Sequence, residues 1–245
     1  MAELITTHLE DVSRELWQVL GQYESWKSDP AKCEDIKCRL SRFNESHSDD
    51  PDSIDDVIQA LSRGFYLIKS ALEWQEPAAG HNSIEEPNDT HKARGIQWRL
   101  VMAYNGFEMI TKTLLLKKGT RGLGPDEFSQ FTIKCGLNQY NSLPSPNTKL
   151  KNLDKWLTKE PEGKTILNFL GVNKKDADII QQWILQQQHI YTWVDAVQLA
   201  KAIRNATAHG ALSASKVKQW GLQKPLLTLS DNLGEIVLAG MRKLI

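Results

Sequence analysis

Apolar residues recur at intervals of three and four along most of the chain, which is the spacing of one face of an α-helix. Such segments cover residues 5–23, 54–68, 100–114 and 174–209, and we expect the last of them to contain one break. No segment shows the two-residue alternation that is typical of a half-buried β-strand. The pattern therefore predicts an all-α protein, whose helices bury their apolar faces against one another.

Capping residues predict where some of these helices begin and end. Asp29 followed by Pro30 is typical of a helix start, because the Asp side chain accepts the first backbone N–H groups and Pro has no N–H to leave unsatisfied. Ser230 or Asp231 is the expected cap of the final helix. Gly210 is expected to end the longest helical run by taking a left-handed conformation.

One stretch between the helices has a different composition. The segment QEPAAGHNSIEEPNDT holds two prolines, a glycine and little periodicity, which is typical of a linker or a long loop. We therefore predict an acidic N-terminal helical region at residues 1–75, a linker at 76–93 and a helical bundle at 94–245.

The charges are unevenly distributed, although the formal net charge is zero. Residues 1–100 hold 11 Lys and Arg against 19 Asp and Glu, whereas residues 101–245 hold 19 against 11. A positively charged half attracts polyanions. Chance and the solvation of ordinary surfaces offer a second explanation for the same split.

Membrane, disulfide and metal chemistry find no support in the sequence. No run approaches the roughly 18 apolar residues of a membrane span, and the N-terminus lacks the basic start and apolar core of a signal peptide. We therefore expect a cytoplasmic protein with no membrane partner. The chain has three cysteines, Cys33, Cys38 and Cys135, and an odd number argues against a set of disulfides. Cys33 and Cys38 have no second Cys/His pair at the spacing of a zinc site. We expect reduced thiols, no metal and no cofactor.

The segment KAIRNATAHGALSASK carries the strongest candidate for chemistry. Arg204 lies seven residues after Val197, and therefore within about 20° of the same helix face. A guanidinium in that register must face a carboxylate, a cleft or a second subunit, because burying it unpaired is costly. Asn205 and His209 are four residues apart and are therefore neighbours on the helix surface. The three side chains form one polar surface at the end of a helix.

These residue types suit the cleavage of RNA without a metal ion. Arg204 can hold a phosphate through two hydrogen bonds and stabilise charge as it develops. Histidine is the usual general acid or base near neutral pH, so His209 can move the proton of a 2′-hydroxyl or of a leaving 5′-oxygen. Asn205 can orient the scissile phosphate. The similar pair Arg42 and His47 runs into an acidic loop that would repel a phosphate.

The segment RNATAHG resembles the signature of the HEPN superfamily, in which a histidine follows an arginine after four to six residues, often with Asn directly after the Arg. The resemblance covers about residues 94–245, and RGIQWRLVMAYNGFEMITKTLL is similar to the family's opening helix. It implies an α-helical bundle. Many members are metal-independent endoribonucleases of toxin–antitoxin, abortive-infection and CRISPR systems, and they usually dimerise so that two motifs face each other. By this resemblance, Glu108 is expected to support the site by pairing with Arg204.

One position departs from a toxin subgroup of that family, which carries a tyrosine two residues after the histidine. This chain has Ala211 there. Regulation through modification of that tyrosine by a nucleotidyltransferase antitoxin is therefore not expected. The loss of the tyrosine does not by itself exclude ribonuclease activity.

Taken together, the sequence favours an enzyme, a homodimeric endoribonuclease of a prokaryotic toxin or anti-phage defence system that cleaves single-stranded RNA. Lys201, Lys216 and Lys218 are expected to bind the RNA, and an antitoxin or a defence complex is the expected protein partner. The alternative is a non-catalytic helical module, or a subunit of a defence complex, in which Arg204 forms a structural ion pair with Glu108. In a third hypothesis, the acidic N-terminal region occupies the basic cleft and inhibits the enzyme.

Overall fold

The computed structural model describes residues 2–21, 27–74, 88–119, 121–137, 139–146, 153 and 165–245. Within these ranges the chain forms ten α-helices and no β-strand, and a single isolated bridge pairs Leu143 with Ile190. The all-α prediction is confirmed. The helices are α1 (Ala2–Leu20), α2 (Pro30–Ser41), α3 (Pro51–Glu73), α4 (Asn88–Leu114), α5 (Pro125–Cys135), α6 (Ile166–Leu170), α7 (Lys174–Ile184), α8 (Trp193–Ala208), α9 (Ala214–Gln219) and α10 (Gln223–Arg242).

Local capping chemistry sets several of the helix ends. The Asp29 side chain accepts the N–H groups of Ala31 and Lys32 at 3.1 and 3.4 Å, which confirms the predicted start of α2. The expected break in the long helical run is also confirmed, because α7 ends at Ile184 and α8 begins at Trp193.

The predicted start of the last helix is wrong. Helix α10 begins at Gln223, and Ser230 lies buried in its interior. The Ser230 hydroxyl donates to the carbonyl of Leu226 at 2.9 Å. A serine can cap a helix or bond back to the preceding turn, and its identity alone does not distinguish the two roles.

Contacts divide the chain into two compact units, and each is built from separate segments. The first unit contains Met1–Glu73, Asn105–Asn138 and Asp231–Ile245, and the second contains Trp74–Tyr104 and Gln139–Ser230. This grouping differs from the predicted regions 1–75 and 94–245, because the N-terminal helices share a core with later segments. Residues 88–93, at the end of the predicted linker at 76–93, are helical and form the start of α4. Residues 75–87 lie outside the described part of the chain.

In the first unit, α1 and α2 pack on α3, and α3 crosses the 105–114 part of α4 closely. A Cβ atom placed on Gly106 would lie 2.5 Å from the backbone oxygen of Gly64. A Cβ atom on Gly64 would lie 2.7 Å from Cγ1 of Ile110, so both positions favour glycine. The helix propensity that Gly64 forfeits, about 1 kcal/mol, is the cost of this close crossing. Nearby, the Phe131 ring lies 5.7 Å from that of Phe43 and 5.9 Å from that of Phe107.

The second unit holds Arg204, Asn205 and His209. Helix α7 packs along α8, and α6 packs against α7. Trp183 and Trp220 are buried in its core. The Trp183 indole N–H donates to the carbonyl of Pro144 at 3.1 Å, which satisfies the polar atom of that buried ring.

Three further observations bear on chemistry elsewhere in the chain. Cys33, Cys38 and Cys135 form no disulfide bond with one another. Within the described ranges, no helix combines the length and apolar character needed to cross a membrane. The same ranges contain no group of three or more His, Cys, Asp or Glu side chains that could hold a metal ion.

Candidate functional site

Helix α8 carries Arg204 and Asn205 at the edge of its buried face. Thr192 caps the start of this helix, and its hydroxyl oxygen accepts the N–H of Asp195 at 3.1 Å. Arg204 and Asn205 are half-buried. Val197, which lies seven residues before Arg204 on nearly the same face of the helix, is fully buried. The buried face consists of Ala196, Val197, Leu199, Ala200, Ala202, Ile203 and Ala206.

His209 lies on the turn that ends α8. Gly210 has a φ of +73°, as predicted, and its N–H donates to the carbonyl of Thr207 at 2.9 Å. The N–H of Ala211 donates to the carbonyl of Ala206 at 3.0 Å. These two bonds form a Schellman motif. The His209 side chain is exposed, and within the described ranges no hydrogen bond or ion pair holds it.

A buried glutamine of α4 anchors this turn. The Gln97 side-chain amide donates to the carbonyl of Leu212 at 2.6 Å and lies 3.4 Å from the hydroxyl of Thr207. Gln97 is one of seven buried polar or charged residues in the described part of the chain. Because its amide satisfies a carbonyl next to the turn, it restrains the backbone that carries His209.

The Arg204 guanidinium contacts two neighbours of known geometry. Its Nη1 donates to the Asn205 side-chain oxygen at 3.0 Å. Its central carbon lies 5.6 Å from the ring centroid of the buried Tyr104, within the range of a cation–π contact. The Asn205 amide oxygen and the face of the Tyr104 ring therefore both restrain the orientation of the Arg204 guanidinium.

Asp176 is a site residue that the sequence reasoning missed. Its carboxylate oxygen Oδ2 accepts from the side-chain amides of Asn205 and Asn173, each at 2.8 Å. Its backbone N–H donates to the Asn173 oxygen at 3.0 Å, at the start of α7. The pair Asn173 and Asp176 has the spacing of a helix cap, which a sequence can show. The link from Asp176 to Asn205 spans 29 residues and depends on how α7 packs on α8.

The predicted supporting residue, Glu108, belongs to the first unit. Its carboxylate lies 3.3 Å from the ammonium of Lys112, one helical turn along α4. The expected pairing of Glu108 with Arg204 stays a prediction.

The three predicted RNA-binding lysines differ in their surroundings. Lys218 lies 2.7 Å from the carboxylate of Asp89, and that bond lowers the pKa of Asp89. Lys216 donates to the side-chain oxygen of Gln219 at 3.1 Å. Lys201 is half-buried on α8, the helix that carries Arg204. Lys218 therefore has a neighbouring anion that offsets its charge.

The second Arg–His pair is used for structure. Arg42 donates to the backbone carbonyl of Lys243. His47 is only 4% exposed, and its Nε2 lies 3.0 Å from the carbonyl of Leu114. Burial lowers the pKa of His47, because the charged imidazolium loses its hydration. Both side chains serve the packing of the first unit.

The chain was compared with protein-family models, with curated proteins and with solved structures, and none of them matches it significantly. The resemblance to the HEPN superfamily therefore depends on the residues of the motif and on their spacing.

Proposed function

We propose that this protein is a metal-independent endoribonuclease that acts on single-stranded RNA. One observation carries the proposal: an oriented, half-buried Arg204 and an exposed His209 occupy the same end of one helix. The pair Arg42 and His47 has the same spacing, yet both of its side chains bond to backbone carbonyls. Only the later pair combines a restrained cation with a histidine that solvent can reach.

The proposed reaction is attack of the ribose 2′-oxygen on the neighbouring phosphorus. The P–O5′ bond breaks, and the products carry a 2′,3′-cyclic phosphate and a 5′-hydroxyl. His209 accepts the 2′-hydroxyl proton, and a protonated histidine donates a proton to the leaving 5′-oxygen. Arg204 stabilises the negative charge that develops on the phosphorane. A homodimer with facing motifs supplies two histidines to one phosphate.

Lys201, Lys216 and Lys218 supply positive charge for the RNA backbone beside this site, and Asp89 neutralises part of the charge of Lys218. Phosphate contacts of this kind are independent of sequence and weaken with salt. The dimer, the RNA substrate and a role in toxin or anti-phage defence extend the proposal through the HEPN resemblance.

A second candidate function is a non-catalytic binding module. The observation that favours it is the hydrogen-bonded chain from Arg204 through Asn205 to Asp176, which links α8 to α7. In such a module these side chains stabilise the fold, and His209 serves as an ordinary helix end.

The decisive experiment measures cleavage of a labelled mixed-sequence RNA in EDTA. We expect His209→Ala to lower the rate by on the order of 10² to 10⁴, the usual contribution of general acid–base catalysis, without changing the melting temperature. The matched control is His189→Ala, which removes another exposed histidine of the same unit and should cleave normally.

Two other outcomes would contradict the proposal that this protein is a metal-independent ribonuclease. One is cleavage that requires a divalent metal and survives His209→Ala. The other is a wild type that does not cleave, combined with an Arg204→Ala variant that melts far below it, since this result points to the binding module.

A further inference from the structure

We propose that Asp176 is a positioning residue for Arg204 and acts through the side-chain amide of Asn205. This inference deepens the proposed function and rests on it. The two hydrogen bonds that carry it run from Arg204 to Asn205 at 3.0 Å and from Asn205 to Asp176 at 2.8 Å.

The Asp176 carboxylate decides which way the Asn205 amide points. An amide has a donor end and an acceptor end, and the Asp176 carboxylate oxygen accepts from the donor end. The Asn205 nitrogen must therefore face Asp176, so its oxygen faces the guanidinium of Arg204. With Asp176 removed, the amide can turn over and present its N–H groups to a guanidinium that has only donors.

Asp176 is itself held in place by hydrogen bonds and by its position on α7. It lies in the first turn of α7, where the helix dipole stabilises negative charge. Asn173 donates to its carboxylate and accepts its backbone N–H. The side chain is 7% exposed, so these hydrogen bonds replace the water that burial removed. A fixed anion of this kind keeps Asn205 in one orientation.

Asn205 therefore acts on Arg204, and this role replaces the contact with phosphate that the sequence suggested. Its oxygen and the Tyr104 ring restrain the guanidinium before RNA binds. A guanidinium that is already oriented loses little conformational entropy when it binds a phosphate. In this assignment, Asp176 and Asn205 orient the Arg204 guanidinium, and Arg204 and His209 contact the RNA.

The test compares four variants of the full chain: Asp176→Ala, Asn205→Asp, the double exchange Asp176→Asn with Asn205→Asp, and the control Asp178→Ala. Asp178 is an exposed acid on the same helix, so its removal changes the charge of α7 without touching the chain of hydrogen bonds. In the double exchange, the amide at 176 donates to the carboxylate at 205, whose second oxygen accepts from Arg204.

The first measurement needs no RNA. The ¹H–¹⁵N signals of the Arg204 side chain should move and broaden in Asp176→Ala, and they should stay sharp in Asp178→Ala and in the double exchange. The second measurement is the RNA cleavage rate. We expect kcat to fall on the order of tenfold to a hundredfold in Asp176→Ala with KM little changed, and the double exchange to recover most of that loss.

The outcomes separate this inference from the proposed function. If the wild type cleaves RNA while Asp176→Ala keeps both the rate and the Arg204 signals, positioning by Asp176 is wrong and the nuclease stands. If the wild type does not cleave but the Arg204 signals depend on Asp176 as expected, the nuclease is wrong and the positioning stands. A double exchange that melts like the wild type and stays as slow as Asp176→Ala also overturns the positioning role.

Discussion

Arg42 and Arg204 each precede a histidine by a few residues, but their surroundings give them different roles. Arg42 and His47 satisfy backbone carbonyls of segments more than 60 residues away in sequence. Arg204 bonds to a side chain of its own helix, and His209 faces solvent. Residue type and spacing are the same in both cases, so the exposure and the partners of each side chain decide its role.

His47 predicts a pH dependence of stability. Burial holds the pKa of His47 below the usual value of about 6.5. Just below pH 6.5, His47 is therefore protonated in the unfolded chain but still neutral in the folded protein. The free energy of unfolding should therefore decrease as the pH falls below about 6.5 toward the lower folded pKa, and it should not depend on His47 at higher pH. Urea denaturation between pH 5 and pH 8 measures this effect.

The control variants for this prediction are His47→Gln and His8→Gln. Glutamine cannot titrate but can still donate to the Leu114 carbonyl, so His47→Gln should flatten the pH dependence. His8 is exposed on α1, and its replacement should leave the pH dependence of the wild type. Identical slopes in all three proteins would contradict the prediction.

At the scale of helices, two features depend on single glycines. Helix α8 ends in a turn that requires a left-handed residue at Gly210, and α3 crosses α4 where both helices lack a side chain. Gly210 is needed because the backbone adopts a left-handed conformation there, whereas the glycines at the crossing are needed because a side chain would clash with the neighbouring helix. Replacing either glycine by alanine separates the two effects.

We expect Gly210→Ala to lower the free energy of unfolding by about 1 kcal/mol. Nothing lies within 4 Å of a Cβ atom at this position, so the cost comes from the φ of +73° alone. Gly210→Asn should cost less, because asparagine tolerates this conformation. Chemical denaturation of both variants tests the prediction, and an alanine variant as stable as the wild type would contradict it.

We expect Gly106→Ala to cost about 1 to 3 kcal/mol, since the new methyl group would lie 2.5 Å from the Gly64 oxygen and the helices must move apart. Ser62→Ala is the control on α3, where the side chain is exposed and the change should stay within about 0.5 kcal/mol. Thermal and urea denaturation should agree in ranking the two variants. Equal stability would mean that the crossing adapts without strain.

At the scale of the whole molecule, segments that are distant in sequence complete each unit. The first unit draws its core from the N-terminal helices, from the 105–138 segment and from the end of α10. Phe107 and Phe131 are fully buried there, and Phe43 from the N-terminal part lies against Phe131. The predicted bundle at 94–245 therefore includes apolar residues whose partners lie outside it.

This arrangement predicts that a fragment of residues 76–245 does not fold cooperatively. Removing α1–α3 would uncover Ile110, which lies against Gly64, and Phe131, which lies against Phe43, and burying such side chains is worth roughly 1.5 to 3 kcal/mol each. The fragment should melt without a sharp transition and bind a hydrophobic dye, unlike the full chain. A fragment that melts cooperatively and cleaves RNA faster than the full chain would contradict this and support inhibition by the acidic region.

The sequence by itself determined the features that repeat within a few residues. Helical periodicity predicted the all-α class, and caps such as Asp29 and Gly210 act within one turn, so they could be recognised locally. Ser230 shows the limit of that approach, because a capping residue type also fits a helix interior.

Only the tertiary structure decided what surrounds the candidate site. Asp176 lies 29 residues from Asn205, and Gln97 lies 115 residues from the carbonyl that it binds. The lack of a partner for His209 in the described ranges, against the buried bond of His47, also depends on packing. A hydrogen bond needs two groups within about 3 Å, and for groups far apart in sequence only the packing of helices determines that distance.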